Sequence, residues 1–207
     1  SQVSFTENIS DSFGGGMYNS SSNPDLHSIT FDGNSAVAGG GAIYNNLSSP
    51  SLSNLTITGN NAPLGAGIYN SENSSPVLTN VLLFGNQASQ QGGAIYNSYS
   101  TPVLIYSILW GNGPDAISGN TVADASYSFI QGGYPGEFIF LDDPLLGPLQ
   151  NNGGFTLTHA LLPTSPAIDT SSPTICPPFD QRGYNRPLDG NNDGVPVCDS
   201  GPFEYFL

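Results

Sequence analysis

The stretch GGGAIYNN at Gly39–Asn46 decides the fold, because it comes back. It reads GGGMYNS at Gly14–Ser20, GAGIYNS at Gly65–Ser71 and GGAIYNS at Gly92–Ser98. A glycine run ahead of an apolar residue can cradle a phosphate or permit tight backbone packing. The flanking residues choose between the two. Pro24, Pro50, Pro76 and Pro102 are spaced by 26, as are Gly33, Gly59, Gly85 and Gly111. Asn34, Asn60, Asn86 and Asn112 keep the same period, and Asn8 extends it one step earlier. A fixed period of this length is the signature of stacked repeats. The tyrosines Tyr18, Tyr44, Tyr69 and Tyr96 follow at 26, 25 and 27, with the slip confined to the connection NAPLGAG against SAVAGGG. Single-residue slips of that kind belong in turns.

Gly, Asn, Ser and Pro are too dense in this unit for helix interiors. The apolar residues alternate instead of following a 3.6 period. Runs such as LHSITF (Leu26–Phe31), LSNLTIT (Leu52–Thr58) and LTNVLLF (Leu78–Phe84) read as strands, and AIYN follows the glycines as a second one. Short strands stacked in register describe a parallel β-helix with coils about 4.8 Å apart. Its inward columns are Phe5, Phe31, Ile57, Leu83, Leu109; Val3, Ile29, Leu55, Val81; Leu26, Leu52, Leu78, Leu104; and Met17, Ile43, Ile68, Ile95. The column Asn8, Asn34, Asn60, Asn86 and Asn112 is placed at a corner, each amide bonding to the coils above and below.

The segments FTEN, FDGN, ITGN, LFGN and LWGN, paired with GGAIYN, are similar to the F-x-x-N and G-G-A-[ILV] repeats of polymorphic outer-membrane proteins. Those are bacterial surface proteins, and the resemblance implies a right-handed parallel β-helix over roughly residues 3–120. Together the repeats define an all-β chain of about five to six coils over residues 1–133, followed by an irregular Pro/Gly-rich cap over 134–207. The last segment carries LDDPLLGPLQNNGGFTLTHALLPTSPAID (Leu141–Asp169), DQRGYNRP (Asp180–Pro187) and CDSGPFEY (Cys198–Tyr205). It resembles the end of bacterial choice-of-anchor Q domain proteins, which implies secretion and surface attachment without a settled activity.

Composition narrows function. Across 207 residues only 9% are charged, and a formal net charge of -14 stands against two arginines, Arg182 and Arg186. Such a surface repels nucleic acid and anionic membranes. No apolar run is long enough to cross a membrane. The start at Ser1 rather than Met suggests a cleaved leader. The two cysteines, Cys176 and Cys198, read as one disulfide formed in an oxidising compartment, with two buried thiols as the alternative.

The glycine motif has no phosphate-binding lysine, so its role is structural. DGNNDG (Asp189–Gly194) fits the first half of a calcium loop, with oxygens from Asp189, Asn191 and Asp193 and with Asp199 or Glu204 to complete a cage. An Asx-rich turn is the other reading. His27 and His159 lack ligand-spaced partners for zinc. Hydrolysis of a polysaccharide needs paired carboxylates. Asp25 and Asp32 share one coil, but Ser51 and Thr58 follow in the next, so no acid ladder forms. No G-x-S-x-G element occurs either. A regular ice-binding face is not present in the columns Asp32, Thr58, Phe84, Trp110 and Thr30, Thr56, Leu82, Ile108.

Those outward columns turn apolar in the later coils, at Phe84, Tyr106, Ile108 and Trp110. Either the tail covers them or a second subunit does. Val3 and Phe5 already fit the repeat, so the first coil offers an edge for head-to-tail stacking. The expectation is therefore a secreted, non-enzymatic structural protein of a prokaryotic surface that assembles into a homopolymer, filament or layer. An adhesin binding surface glycans, a polysaccharide-cleaving enzyme and an ice-binding protein are the alternatives, with no cofactor beyond calcium.

Overall fold

Each repeat turns four corners, and at each corner one residue takes left-handed backbone. In the second turn these are Ser28, Gly33, Gly40 and Leu47, with φ of 56, 65, 67 and 50°. This is seen in a computed structural model that describes residues 3–171 and 176–206. Two corner columns are mostly glycine, and the quoted stretch supplies one of them. A Cβ on Gly40 would lie 2.7 Å from the Ile43 carbonyl oxygen, and one on Gly41 would lie 2.6 Å from that of Asn61 in the following coil. The other two columns hold Ser21, Leu47, Glu72, Tyr99 and Ser28, Asn54, Asn80, Tyr106, Tyr127, all at positive φ. A left-handed non-glycine residue costs roughly 1–2 kcal/mol. Pairing of the flanking backbone into continuous ladders offsets that cost.

Three parallel sheets result. The first stacks Val3–Thr6, Asp25–His27 with Ile29–Asp32, Ser51–Thr58, Val77–Phe84, Val103–Ile105 with Ile108–Trp110, Asp124–Ile130 and Glu137–Phe140. The second holds only Ile9–Ser10, Ser35–Ala36, Asn61–Leu64 and Gln87–Gln91. The third runs Met17–Ser20, Ile43–Asn46, Ile68–Ser71, Ile95–Ser98 and Ile117–Gly119. The solenoid thus completes about four turns, fewer than the five to six expected. Val77 pairs with Val103, but Val103 pairs with Asp124, so the last coil is shorter and has no second-sheet strand. Parallel pairing nevertheless continues beyond residue 133, through Glu137–Phe140.

The bore is filled by Leu52, Leu78, Leu104, Leu55, Val81, Ile57, Leu83, Leu109 and the isoleucines Ile43, Ile68 and Ile95, all buried. Val3 and Phe5 form its first layer, with Phe5 stacked on Phe31 at 4.7 Å between ring centroids. Tyr134 and Ile139 pack on its other end, and the Tyr134 hydroxyl accepts from the Ala123 N–H at 2.9 Å. Polar side chains run beside the core as ladders. Oδ1 of Asn34 accepts from both N–H and Nδ2 of Asn8, and Asn60, Asn86 and Asn112 repeat the pattern. A second ladder joins Asn19, Asn45, Asn70 and Asn97 through amide bonds of 2.9, 2.9 and 3.0 Å. A third passes through Ser48, Ser74, Ser100 and Thr121, each hydroxyl accepting a backbone N–H from the preceding coil.

Beyond Phe140 the chain leaves the stack. A hairpin of Leu146–Gln150 and Thr158–Leu161 lies across the outer face of the first sheet. Leu82, Ile108 and Phe129 project outward and are buried against Leu161, Ala167, Ile168 and Phe203 of the tail. Phe84 and Trp110 pack on the same cluster. The apolar face read as a candidate subunit interface is thus occupied by the chain itself. Tyr106, only 2% exposed, accepts through its carbonyl from the Gly201 N–H of the tail at 2.7 Å. Burying each large apolar side chain contributes about 1.5–3 kcal/mol, which is the physical reason for the cover.

Candidate functional site

The tail is held to the β-helix by polar contacts that converge on one residue. Gln181 accepts from the Thr56 hydroxyl at 2.8 Å, and its Nδ-equivalent amide, Nε2, donates to Thr30 and Thr156 at 3.0 and 2.9 Å. Thr30 in turn donates to the Leu157 carbonyl at 2.7 Å. His159 lies beside them. Its Nδ1 is 2.7 Å from the Gly147 carbonyl, which can only accept, so that nitrogen carries the proton. Burial pushes the His159 pKa below its ordinary value. The neutral ring then accepts the Thr58 hydroxyl at Nε2, 3.2 Å away.

Behind this contact stands an ionic clasp made from both arginines of the chain. Arg182 pairs with Asp180 and Arg186 with Glu204, each at 2.7 Å and each with almost no side-chain exposure. Arg182 also lies over the Phe203 ring at 3.6 Å. Glu204 accepts from the N–H groups of Leu188 and Asp199 as well. Asp199 accepts from the N–H groups of Asp169 and Tyr205. Those bonds favour its charged form, yet burial and the neighbouring Glu204 outweigh them and push the Asp199 carboxyl up to about 8. Burial raises Glu204 too, against the pull of Arg186. Sequence reasoning quoted DQRGYNRP and FEY but assigned no role to Gln181 in docking the tail, nor to Asp180, Arg182, Arg186 and Glu204 in holding the tail segments to one another. One signal was available: both arginines of an acidic chain lie in the tail, close in sequence to Asp180 and Glu204.

The calcium set is not gathered. Asp189, Asn191 and Asp193 share a loop, but their oxygens accept from the N–H groups of Asp193, Gly194 and Val195 within it. Asp199 is buried instead, its oxygens accepting from the Asp169 and Tyr205 N–H groups. Among the described residues no group of three or more His, Cys, Asp or Glu side chains converges as a metal site. Cys176 and Cys198 are joined in a disulfide with Cα atoms 6.2 Å apart.

Between the tail and the second and third coils lies a groove of about 880 Å³. His27, Ser28, Ser53 and Asn54 form one side, and Phe155, Pro177, Pro178 and Phe179 form the other. Phe155 and Phe179 are 72% and 51% exposed. Asn54 donates from Nδ2 to the Phe179 carbonyl at 2.9 Å, which ties that wall to a corner of the β-helix. Asp180 is the carboxylate at the groove, and it is already committed. Its oxygens accept from the N–H groups of Arg182, Tyr184 and Glu204 and from the Arg182 side chain. The Thr58–His159 pair has the form of a hydroxyl and its base, but both residues are buried beneath the tail.

The model of the Chlamydia polymorphic membrane protein repeat matches residues 28–46 and 80–98. Each match runs from a left-handed corner, through the Asn34 or Asn86 rung, to the strand carrying the Tyr-Asn pair. No curated protein and no solved structure matches the chain. The repeat matches point to a bacterial surface β-helix protein.

Proposed function

We propose that the protein is a secreted, non-enzymatic binding module of a bacterial surface, in which the β-helix is a rigid support and the docked tail completes an adhesive seam. The observation that carries this reading is the groove whose two sides come from β-helix and tail, with exposed Phe155 and Phe179 on an anchored wall. The likeness of the tail segments to choice-of-anchor Q proteins supports the surface location. Turnover is disfavoured because Asp180 is saturated with donors, leaving no pair of free carboxylates at the groove for hydrolysis.

End-on self-assembly is a second reading, favoured by one observation. The parallel ladders repeat with one register from coil to coil, so a second copy could continue them at an open end of a stack. Assembly through the flank has lost its support, since the apolar columns lie under the tail.

Beads coated with the purified protein test the first reading. Attachment to bacterial or host cell surfaces, with no reducing ends released from polysaccharides, supports it. Release of sugar ends in proportion to protein overturns it. Filaments seen by electron microscopy across a wide concentration range would establish the second reading instead.

A further inference from the structure

We infer that the seam groove takes a neutral pyranose oligosaccharide, stacked on Phe155 and Phe179. This rests on the binding-module reading and assigns its ligand. Three properties of the groove lead to it.

Its first property is shape. A volume of about 880 Å³ lies within the range of about 300–1,000 Å³ that accommodates a small extended ligand. The backbone that carries one of the two rings is tied down. Phe179 is bridged to Asn185 and anchored by Asn54, and two prolines precede it. A wall ordered before binding loses little freedom when a ligand arrives.

Its second property is the pairing of apolar and hydroxyl-matching surface. An aromatic face is negative and attracts the weakly positive C–H groups on the flat face of a pyranose ring. A sugar also presents hydroxyls at its edge, each needing a donor or acceptor. His27, Ser28 and Ser53 supply such groups on the opposite side from two successive coils.

Its third property is charge. The chain has no lysine, and both arginines are buried in ion pairs. Neither arginine is free to meet a sulfate or uronate, and the net charge of -14 repels polyanions. The ligand that fits is neutral.

The test uses the intact chain on an array of neutral oligosaccharides, namely fragments of β-glucan, chitin, xylan, mannan and galactan. Heparin and polygalacturonate fragments serve as acidic probes, and Pro- and Leu-rich peptides as the protein-ligand arm. Binding to at least one neutral class is expected, with affinity unchanged by moderate salt. Phe179→Ala and Phe155→Ala should each weaken it roughly tenfold or more, the size of a lost aromatic stacking contact. Both rings are largely exposed, so thermal melting should stay at the wild-type temperature, and a shifted melt would be controlled by Phe179→Tyr. Preference for the acidic probes or the peptides overturns the inference, as does no binding to any probe or binding insensitive to both variants. The bead assay separates the two claims. Attachment to cells retained by the double variant sinks the groove as the site while leaving the module reading standing.

Discussion

The β-helix and the tail reach order in opposite ways. In the β-helix the polar ladders repeat from coil to coil: Asn34 bonds to Asn60 as Asn60 bonds to Asn86. In the tail each contact occurs once. Gln181 meets Thr56 across 125 positions, and Arg186 meets Glu204 with nothing similar to replace it. Repetition spreads the cost of a single change over a stack of like neighbours. A single-copy clasp concentrates it. The difference also sets where function can arise, because the seam between the two regions is the place where the periodic surface is interrupted.

The sharpest way to break that contrast is to strand one buried charge. Arg186→Met leaves Glu204 without its partner, and loss of one member of such a pair costs about 3–5 kcal/mol. Urea unfolding should show the tail released at low denaturant while the far-ultraviolet β signal persists. A single transition unchanged in midpoint would contradict the clasp. Next in size is the disulfide. Replacing both Cys176 and Cys198 by Ser reopens a loop of sequence separation 22, worth ~3 kcal/mol in the chain-entropy model. Proteolysis of the variant should cut within the tail and spare the coils.

A rung of the ladder comes third. Asn60→Ala removes the acceptor of the buried Asn34 N–H, a loss of about 1–3 kcal/mol. Asn112→Ala, at the partly buried end of the same ladder, should cost less. Equal losses at the two positions, read from thermal melts, would show that stacking depth does not matter.

The smallest effect is a pH slope. Asp199 holds its proton to about 8 in the folded chain, whereas an unfolded carboxyl releases it near 3.9. The folded state therefore binds more protons between these values, and stability falls as pH rises toward about 8, the interval from pH 7 to 8 being the part to measure. His159 acts with the opposite sign, because its lowered pKa makes stability fall as pH drops below the ordinary histidine range. Between pH 7 and 8 the carboxyl acts alone of these two. Melting temperature should fall across that interval in the wild type and fall less steeply in Asp199→Asn, where the raised Glu204 carboxyl remains.

The β-helix was legible because its information is repeated. Columns of Pro, Gly and Asn at one spacing announce a coil, and the inward apolar columns follow from alternation. Turn number was over-read because the first sheet continues after the second has ended. Left-handed corners at Leu47, Glu72 and Tyr99 were not legible, since no residue preference marks them and only the geometry of the turn imposes them. The groove was hidden for a different reason. Its sides, near residues 27–54 and 155–183, meet only after the tail folds back over more than a hundred positions, and no local pattern encodes that return.

Trp110, the single tryptophan, sits on the flank where the two regions meet. Its fluorescence tests most directly whether the tail covers the β-helix. Trp110 is half-buried there, so the native chain should show emission blue-shifted from free tryptophan and partial protection from acrylamide. In Arg186→Met, a red shift and strong quenching should appear while the β signal is retained. Solvent-exposed emission in the native protein, or no change when the clasp is broken, would contradict the account.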